Sequence, residues 1–219
     1  LETRRALRRF TLRTDREFLD QALRITNSRI AEHPAGYRIS DEQAAMLHYA
    51  LWGKDGNGAG VGSYQESFQR WLGNPSAARD LAEIIDWRRA RQPYPTLANG
   101  LPFACPLRIH AAYGMREITA AFGLATLETS GPAGVGVIRL TSPNIYLHLI
   151  TFRKEEKNFA PTTRYKDYPI SPTLLHWESR STTARAHPTG QDYIHFKDRN
   201  VTILFFARIE RTIGGETAP

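Results

Sequence analysis

The densest concentration of side chains able to bind or react lies between residues 152 and 199. It reads Phe152-Arg-Lys-Glu-Glu-Lys-Asn-Phe-Ala-Pro-Thr-Thr-Arg-Tyr-Lys-Asp-Tyr-Pro-Ile-Ser-Pro, then Thr-Leu-Leu-His-Trp-Glu-Ser-Arg-Ser-Thr-Thr, then His187-Pro-Thr-Gly-Gln-Asp-Tyr193. Guanidinium, hydroxyl and aromatic groups alternate here. Cations and hydroxyls hold phosphate oxygens, and rings stack on exposed bases. The candidate nucleic-acid-binding residues are Arg153, Lys154, Lys157, Arg164, Tyr165, Lys166, Tyr168, His176, Trp177, Ser179, Arg180, Ser181, Thr182 and Tyr193. The same composition also suits a loop-rich region whose Ser and Thr make local turns, with Trp177 in a core.

Other chemistry is marked by missing patterns. Lys54 sits among the glycines of residues 53–60, but it precedes most of them and follows a helix, which is the wrong order for a phosphate-binding loop. That segment is expected to be a flexible connector. The seven histidines (33, 48, 110, 148, 176, 187 and 195) form no close ligand pair, so structural or surface roles are expected for most. The single cysteine, Cys105, excludes an internal disulfide and a cysteine-rich zinc module. No Gly-x-Ser-x-Gly elbow occurs. No catalytic residue, metal ligand or cofactor is therefore assigned.

The net charge of +7 is unevenly spread: residues 1–29 and 151–211 each carry +4, and 30–150 carry none. Of the 29 basic residues 24 are Arg, the side chain that forks onto phosphate. With 41% hydrophobic and 23% charged residues, the chain has the composition of a folded domain. No apolar run reaches membrane-spanning length. The lone thiol fits a cytoplasmic setting. A start at Leu1 suggests a piece of a longer polypeptide.

The elements that must position these residues change character once. Up to about residue 92 the apolar period is helical. Thr14 and Glu17 read as a capping box before Phe18, Leu19, Ala22, Leu23, Ile25 and Ile30. Ser40 with Gln43 opens a second helix stopped by Gly53, Ser63 with Glu66 caps a third, and Pro75 starts a fourth. Pro93, Pro95, Pro102 and Pro106 form a rigid linker. Strands are predicted at 107–111, 136–140, 145–152, 175–179 and 201–209, with a turn at 141–144 and a short helix at 115–122 stopped by Gly123. The 201–209 run is apolar enough for the centre of a sheet. In the 175–179 strand Leu175, Trp177 and Ser179 would share one face. The fold class is α+β: a helical connector over 1–92, a proline-rich linker over 93–106, and an α+β domain over 107–213 built on a small curled sheet or open barrel with short helices.

Three segments carry a family resemblance: Phe159-Ala-Pro-Thr-Thr-Arg-Tyr-Lys-Asp-Tyr-Pro-Ile-Ser, His176-Trp-Glu-Ser-Arg-Ser-Thr-Thr, and Pro188-Thr-Gly-x-x-Tyr-Ile. With Leu107–Gly123 and Met46–Trp52 they resemble the uncharacterised C-terminal domain of bacterial superfamily-two DNA helicases, some of which carry a phospholipase-D-like nuclease at the N-terminus. The chain departs from that pattern at Arg180, where the family commonly has Gln, and at Phe196, where it has His; the carry-over is weakened at these two positions. The resemblance implies a DNA-binding accessory domain in phage defence or restriction. Its partners would be duplex or single-stranded DNA and the parent chain's ATP-dependent motor, which these residues lack. An extruded or modified base is a further expected ligand. Two rival readings are a regulatory module docking the motor or another subunit, and a hydrolase built on His176, Glu178 and Tyr193. The apolar 201–209 strand also predicts self-association through an unpaired sheet edge.

Overall fold

The computed structural model describes residues 2–27, 39–93, 95–132, 135–153, 166–171 and 173–210, and the backbone of 212–213 and 216–217. The predicted positions Ile30, Lys154, Lys157, Arg164 and Tyr165 lie outside the described residues. The chain is α+β. It forms two compact units, residues 1–133 and 134–218. Residues 107–133 thus pack with the helices that precede them.

The first unit holds α1 (Glu2–Thr11), α2 (Arg16–Asn27), α3 (Asp41–Trp52), α4 (Gly56–Ala59), α5 (Tyr64–Leu72), α6 (Pro75–Ala90) and α7 (Met115–Ala120). Local signals set most helix ends. The Ser40 hydroxyl accepts from Gln43 N at 3.2 Å while Gln43 Oε1 accepts from Ser40 N at 3.0 Å, a reciprocal cap. Gly53 ends α3 at φ +70, and a Cβ there would meet Arg9 Nη1 at 2.9 Å. That guanidinium donates to the Ala50 and Leu51 carbonyls at 2.7 and 2.5 Å, where a helix C-terminus carries partial negative charge. Ser63 and Asn74 cap α5 and α6.

α3 is buried almost all round, as a central helix must be. Phe10 of α1, Phe18 and Leu19 of α2, Phe68 and Trp71 of α5, and Leu81 and Ile85 of α6 are buried with it. His48 is a fully satisfied core histidine: Nδ1 lies 2.7 Å from Ser67 Oγ and Nε2 lies 2.8 Å from the Lys54 carbonyl.

Three local expectations are corrected here. Asp15, not Thr14, caps α2, accepting from Glu17 N and Phe18 N; the Thr14 hydroxyl instead accepts from Ala112 N at 2.7 Å. The 53–60 glycine segment is a packed turn rather than a flexible connector: Asp55 caps α4, and Gly56 N donates to the Leu127 carbonyl at 2.8 Å. Residues 107–111 form no strand beyond a single bridge between Leu97 and Ile109. Three competing bonds and one backbone angle explain it: Asn99 Nδ2 donates to the Cys105 and Leu107 carbonyls, Arg108 N donates to Tyr113 Oη, and His110 sits at φ +66.

A buried ion pair ties residues 107–133 to the helices. Arg13 and Glu117 are each 1% exposed, with Nε–Oε2 and Nη2–Oε1 both at 2.6 Å. Tyr113 donates to Asp15, whose carboxyl is pushed above its ordinary range by burial, and that bond opposes the shift. Tyr49 donates to the Thr126 and Thr129 carbonyls at 2.7 and 2.8 Å.

The second unit contains β1 (Val137–Leu140), β2 (Ile145–Thr151), β3 (Tyr168–Ser171), β4 (Leu174–His176), α8 (Pro188–Ile194), β5 (Thr202–Arg208), β6 (Thr212–Ile213) and β7 (Glu216–Thr217). β1 and β2 form the expected antiparallel hairpin, and β5 pairs parallel to β2, in the order β1-β2-β5. β3–β4 and β6–β7 are separate two-stranded sheets, and among the described residues no sheet closes into a barrel. Contrary to expectation, β2 is central, with six of its seven residues buried, and β5 is an edge. One-sided pairing leaves Phe205 44% exposed despite its apolar surroundings. The predicted 175–179 strand shortens to Leu174–His176. Beyond it carboxylates replace the ladder: Asp167 Oδ1 accepts from Glu178 N at 3.0 Å, and Glu178 Oε2 from Lys166 N at 3.2 Å.

Candidate nucleic-acid interface

Strand register builds one polar-aromatic face in the second unit. Tyr146 and His148 are two apart on β2 and so share a face. Arg139 and Val137 lie beside them on β1, and Ile203 and Phe205 on β5. α8 brings Tyr193 and Asp192 to the same face. Its approach is fixed by Gly190, where a Cβ would meet the Ala184 carbonyl oxygen at 2.3 Å. Trp177 arrives from the segment just after β4.

These rings form one cluster around His148. Its centroid lies 4.4 Å from Trp177, 5.3 Å from Tyr193, 5.1 Å from Phe205 and 6.2 Å from Tyr146. Trp177 and Tyr193 meet edge-on at 5.2 Å. His148 is 0% exposed, and neither ring nitrogen has a hydrogen-bond partner among the described residues. Burial, with help from the Arg180 charge, pushes its pKa down to about 4, so the ring is neutral at pH 7. Tyr193 is pushed up to about 12, chiefly by burial.

Cations and one carboxylate frame the rings. The Arg139 guanidinium lies over the Tyr146 ring at 4.5 Å. Tyr146 Oη donates to Asp192 Oδ2 at 2.8 Å, and Arg199 donates to Asp192 Oδ1 at 2.9 Å. The Arg199 bond is the main reason the Asp192 carboxyl sits below its usual range. Arg180 is exposed, with Nη2 3.5 Å from the Val137 carbonyl. Such a face can stack planar rings and attract anions; no group of three or more His, Cys, Asp or Glu that could hold a metal occurs among the described residues.

The sequence candidates fall in separate places. Trp177 and Tyr193 join the cluster. Ser179 is half-buried, and Arg180, Ser181 and Thr182 are exposed on the following segment. Tyr168 and His176 form a second site on the β3–β4 hairpin, where their rings stack at 4.6 Å and 11° and His176 Nδ1 lies 2.8 Å from the Lys166 carbonyl. Glu178, the other member of the hydrolase reading, is engaged with the Lys166 backbone, while Tyr193 packs in the aromatic cluster. Arg153 pairs with Glu210 at 2.9 Å at the end of β2.

Sequence reasoning missed Arg139, Tyr146, His148, Asp192 and Phe205. One signal was present: Tyr146 and His148 interrupt one face of an otherwise apolar strand.

No helix of the described residues is long and apolar enough to cross a membrane. No curated protein and no solved structure matches the chain. Residues 107–216, half of the chain, match the domain of unknown function DUF3427. That span takes in the whole aromatic face and the segment anchored by Glu117, and the chain belongs to the DUF3427 family.

Proposed function

We propose that this chain is a DNA-binding accessory domain of a superfamily-two helicase, serving phage defence or restriction. Its second unit would hold phosphates with exposed arginines and stack an unpaired base on the aromatic face. The carrying observation is the cluster of rings on one sheet face (Tyr146 and His148 buried, Trp177 and Tyr193 half-buried, Phe205 exposed) beside the Arg139 and Arg180 guanidiniums. Ring stacking with cationic steering is the general chemistry of single-strand and extruded-base binding. The helicase context rests on the sequence resemblance.

Labelled duplex and single-stranded oligonucleotides titrated at increasing salt test the reading. Contact with about four to six phosphates gives a log–log slope on duplex of roughly −4 to −5. Arg180 and Arg185 are exposed between β4 and α8, and Arg180→Ala with Arg185→Ala should lower that slope by about 2 with no change in thermal midpoint. A salt-independent response, or no binding at low salt, overturns the proposal.

A second reading, a protein-docking module, draws on the β3–β4 hairpin. Tyr168, Ile170 and Leu174 are 48%, 55% and 56% exposed there, an apolar group of the kind that marks interfaces. Loss of DNA binding on Ile170→Ser with Leu174→Ser would place the hairpin in the DNA contact; unchanged DNA binding leaves it available to a protein.

A further inference from the structure

We propose that the outer face of α1 is a second DNA-contacting surface, on which Arg4 and Arg8 hold the phosphate backbone. This rests on the DNA-binding reading above and goes beyond it, because that reading places its contacts in the second unit.

The excess charge of residues 1–29 is localised by where their acids are engaged. Glu2 Oε1 holds Lys54 Nζ at 2.5 Å, Glu17 Oε2 holds Arg108 Nη1 at 3.2 Å, and Asp20 Oδ1 holds Arg89 Nε at 2.6 Å. None of those three cations lies on α1 or α2, so the carboxylates neutralise charge from elsewhere in the unit. The fourth acid, Asp15, is buried, caps α2 and accepts from Tyr113. Two arginines are committed as well: Arg9 to the C-terminal carbonyls of α3, and Arg13 to Glu117. Arg4 and Arg8 are exposed, and among the described residues they have neither an ion pair nor a side-chain hydrogen bond. Arg5 is exposed next to them.

Stability alone does not account for this arrangement. Arg4 and Arg8 stand one turn apart, as do Arg5 and Arg9, and like charges at that spacing repel. Arg4 and Arg5 also sit near the helix N-terminus, whose partial positive charge disfavours cations. Phosphates lying between the guanidiniums relieve both penalties, so the free helix is poised for a polyanion. Side chains one turn apart have Cβ atoms about 5–6 Å from each other, which lets Arg4 and Arg8 reach the same stretch of backbone. The guanidinium fork takes two phosphate oxygens at once. A basic amphipathic helix also suits an anionic membrane, but that mode requires its apolar face to enter the lipid. On α1 that face is spent: Ala6 and Phe10 are 0% exposed, and the Phe10 ring stacks on Phe18 of α2 at 6.0 Å. Only the guanidiniums are on offer, which favours a nucleic-acid backbone.

The test measures salt-dependent binding of a labelled duplex by the full chain, by Arg4→Gln with Arg8→Gln, and by a control, Arg79→Gln with Arg108→Gln. Both variants lose two positive charges, but the control loses them from α6 and from the Glu17 ion pair. Each phosphate contact contributes about 0.9 to the log–log slope, so the α1 variant should lower it by about 1.8. From a slope near −4.5, raising salt from about 50 to about 200 mM should weaken wild type about 500-fold and the α1 variant about 40-fold. The control should keep its slope within about 0.5 of wild type. The thermal midpoint of the α1 variant should be unchanged or higher, because Gln matches Arg in helix propensity and the repulsion is gone. A slope within about 0.5 of wild type for the α1 variant overturns the α1 surface and leaves the second-unit reading standing. A control that falls as far as the α1 variant makes the effect one of net charge and overturns it too. So does a lowered midpoint for the α1 variant, which would make the pair structural. Binding to phosphatidylserine vesicles that depends on Arg4 and Arg8, with no such dependence for the duplex, assigns the face to lipid and overturns the proposal. Absence of wild-type binding to the duplex at low salt overturns the DNA reading and this surface with it.

Discussion

Removing the Glu117 carboxylate should unfold the first unit at a much lower temperature, because it strands a charge where water cannot follow. Arg13 is 1% exposed, and Glu117 meets it through two contacts of 2.6 Å. Glu117 also accepts from Gly114 N at 3.0 Å, so the same side chain caps α7. Breaking a buried pair from one side costs about 3–5 kcal/mol, most of it the penalty on the partner left behind. At about 2–4 °C per kcal/mol for a chain of this size, Glu117→Ala should lower the thermal midpoint by roughly 6–20 °C. Glu117→Gln, which preserves shape and one acceptor, should fall between Ala and wild type. The diagnostic variant replaces both partners, Arg13→Met with Glu117→Leu. With no orphaned charge it should recover most of the loss, since well-packed apolar pairs often match buried ion pairs in stability. Circular dichroism or scanning calorimetry on the four chains measures this. A midpoint within about 2 °C of wild type for Glu117→Ala would refute the argument. So would a double variant no better than the single one, which would make the cost steric rather than electrostatic.

Two further outcomes follow from the second unit. His148 has its folded pKa held at about 4, below the ordinary 6.5, so between those values the unfolded chain takes up a proton that the folded one refuses. Stability from this group is complete above pH 6.5 and falls as pH drops toward 4, by about 3 kcal/mol at about 1.4 kcal/mol per pH unit; denaturant melts at pH 7 and pH 4.5 should show the loss, and His148→Phe should flatten it. Gly190→Ala forces a Cβ to within 2.3 Å of the Ala184 carbonyl oxygen and should displace α8, costing about 1–3 kcal/mol; an unchanged denaturant midpoint and unchanged DNA affinity would show that the helix can shift freely.

What could be read from the sequence was local. Ser40 with Gln43, Ser63 with Glu66, Pro75 and Gly53 declare helix ends within a four-residue window, and all four act as expected. The turn at 141–144 is equally local and joins β1 to β2. Failures arose where a distant group outbid a neighbour. Thr14 looked like a cap until Ala112, 98 residues away, claimed its hydroxyl. The 107–111 run has strand composition, but Asn99 and Tyr113 took the bonds a second strand would have made. The candidate site divided the same way. The aromatics of 165–193 were visible as a composition, but which of them converge depends on β2 pairing with β5 across a long crossover. That pairing places His148 opposite Phe205, a relation no window of sequence contains.

The parallel pairing of β2 with β5 also dictates an order of events during synthesis. β2 ends at Thr151 and β5 begins at Thr202, so the central strand waits for fifty residues before its second neighbour exists. At roughly 5–20 residues per second that is about 2.5–10 s, far longer than the microseconds in which the β1–β2 hairpin closes. During that interval one side of this largely buried strand has an unoccupied row of N–H and C=O groups, the template on which chains pair wrongly with one another. His148 interrupts the apolar run of this strand, a polar side chain at a position that later pairs with Phe205 of β5. His148, buried in the finished fold, would then be a guard on the unfinished one: replacing it with an apolar ring would be expected to raise aggregation of the nascent chain even where it raises the stability of the mature one.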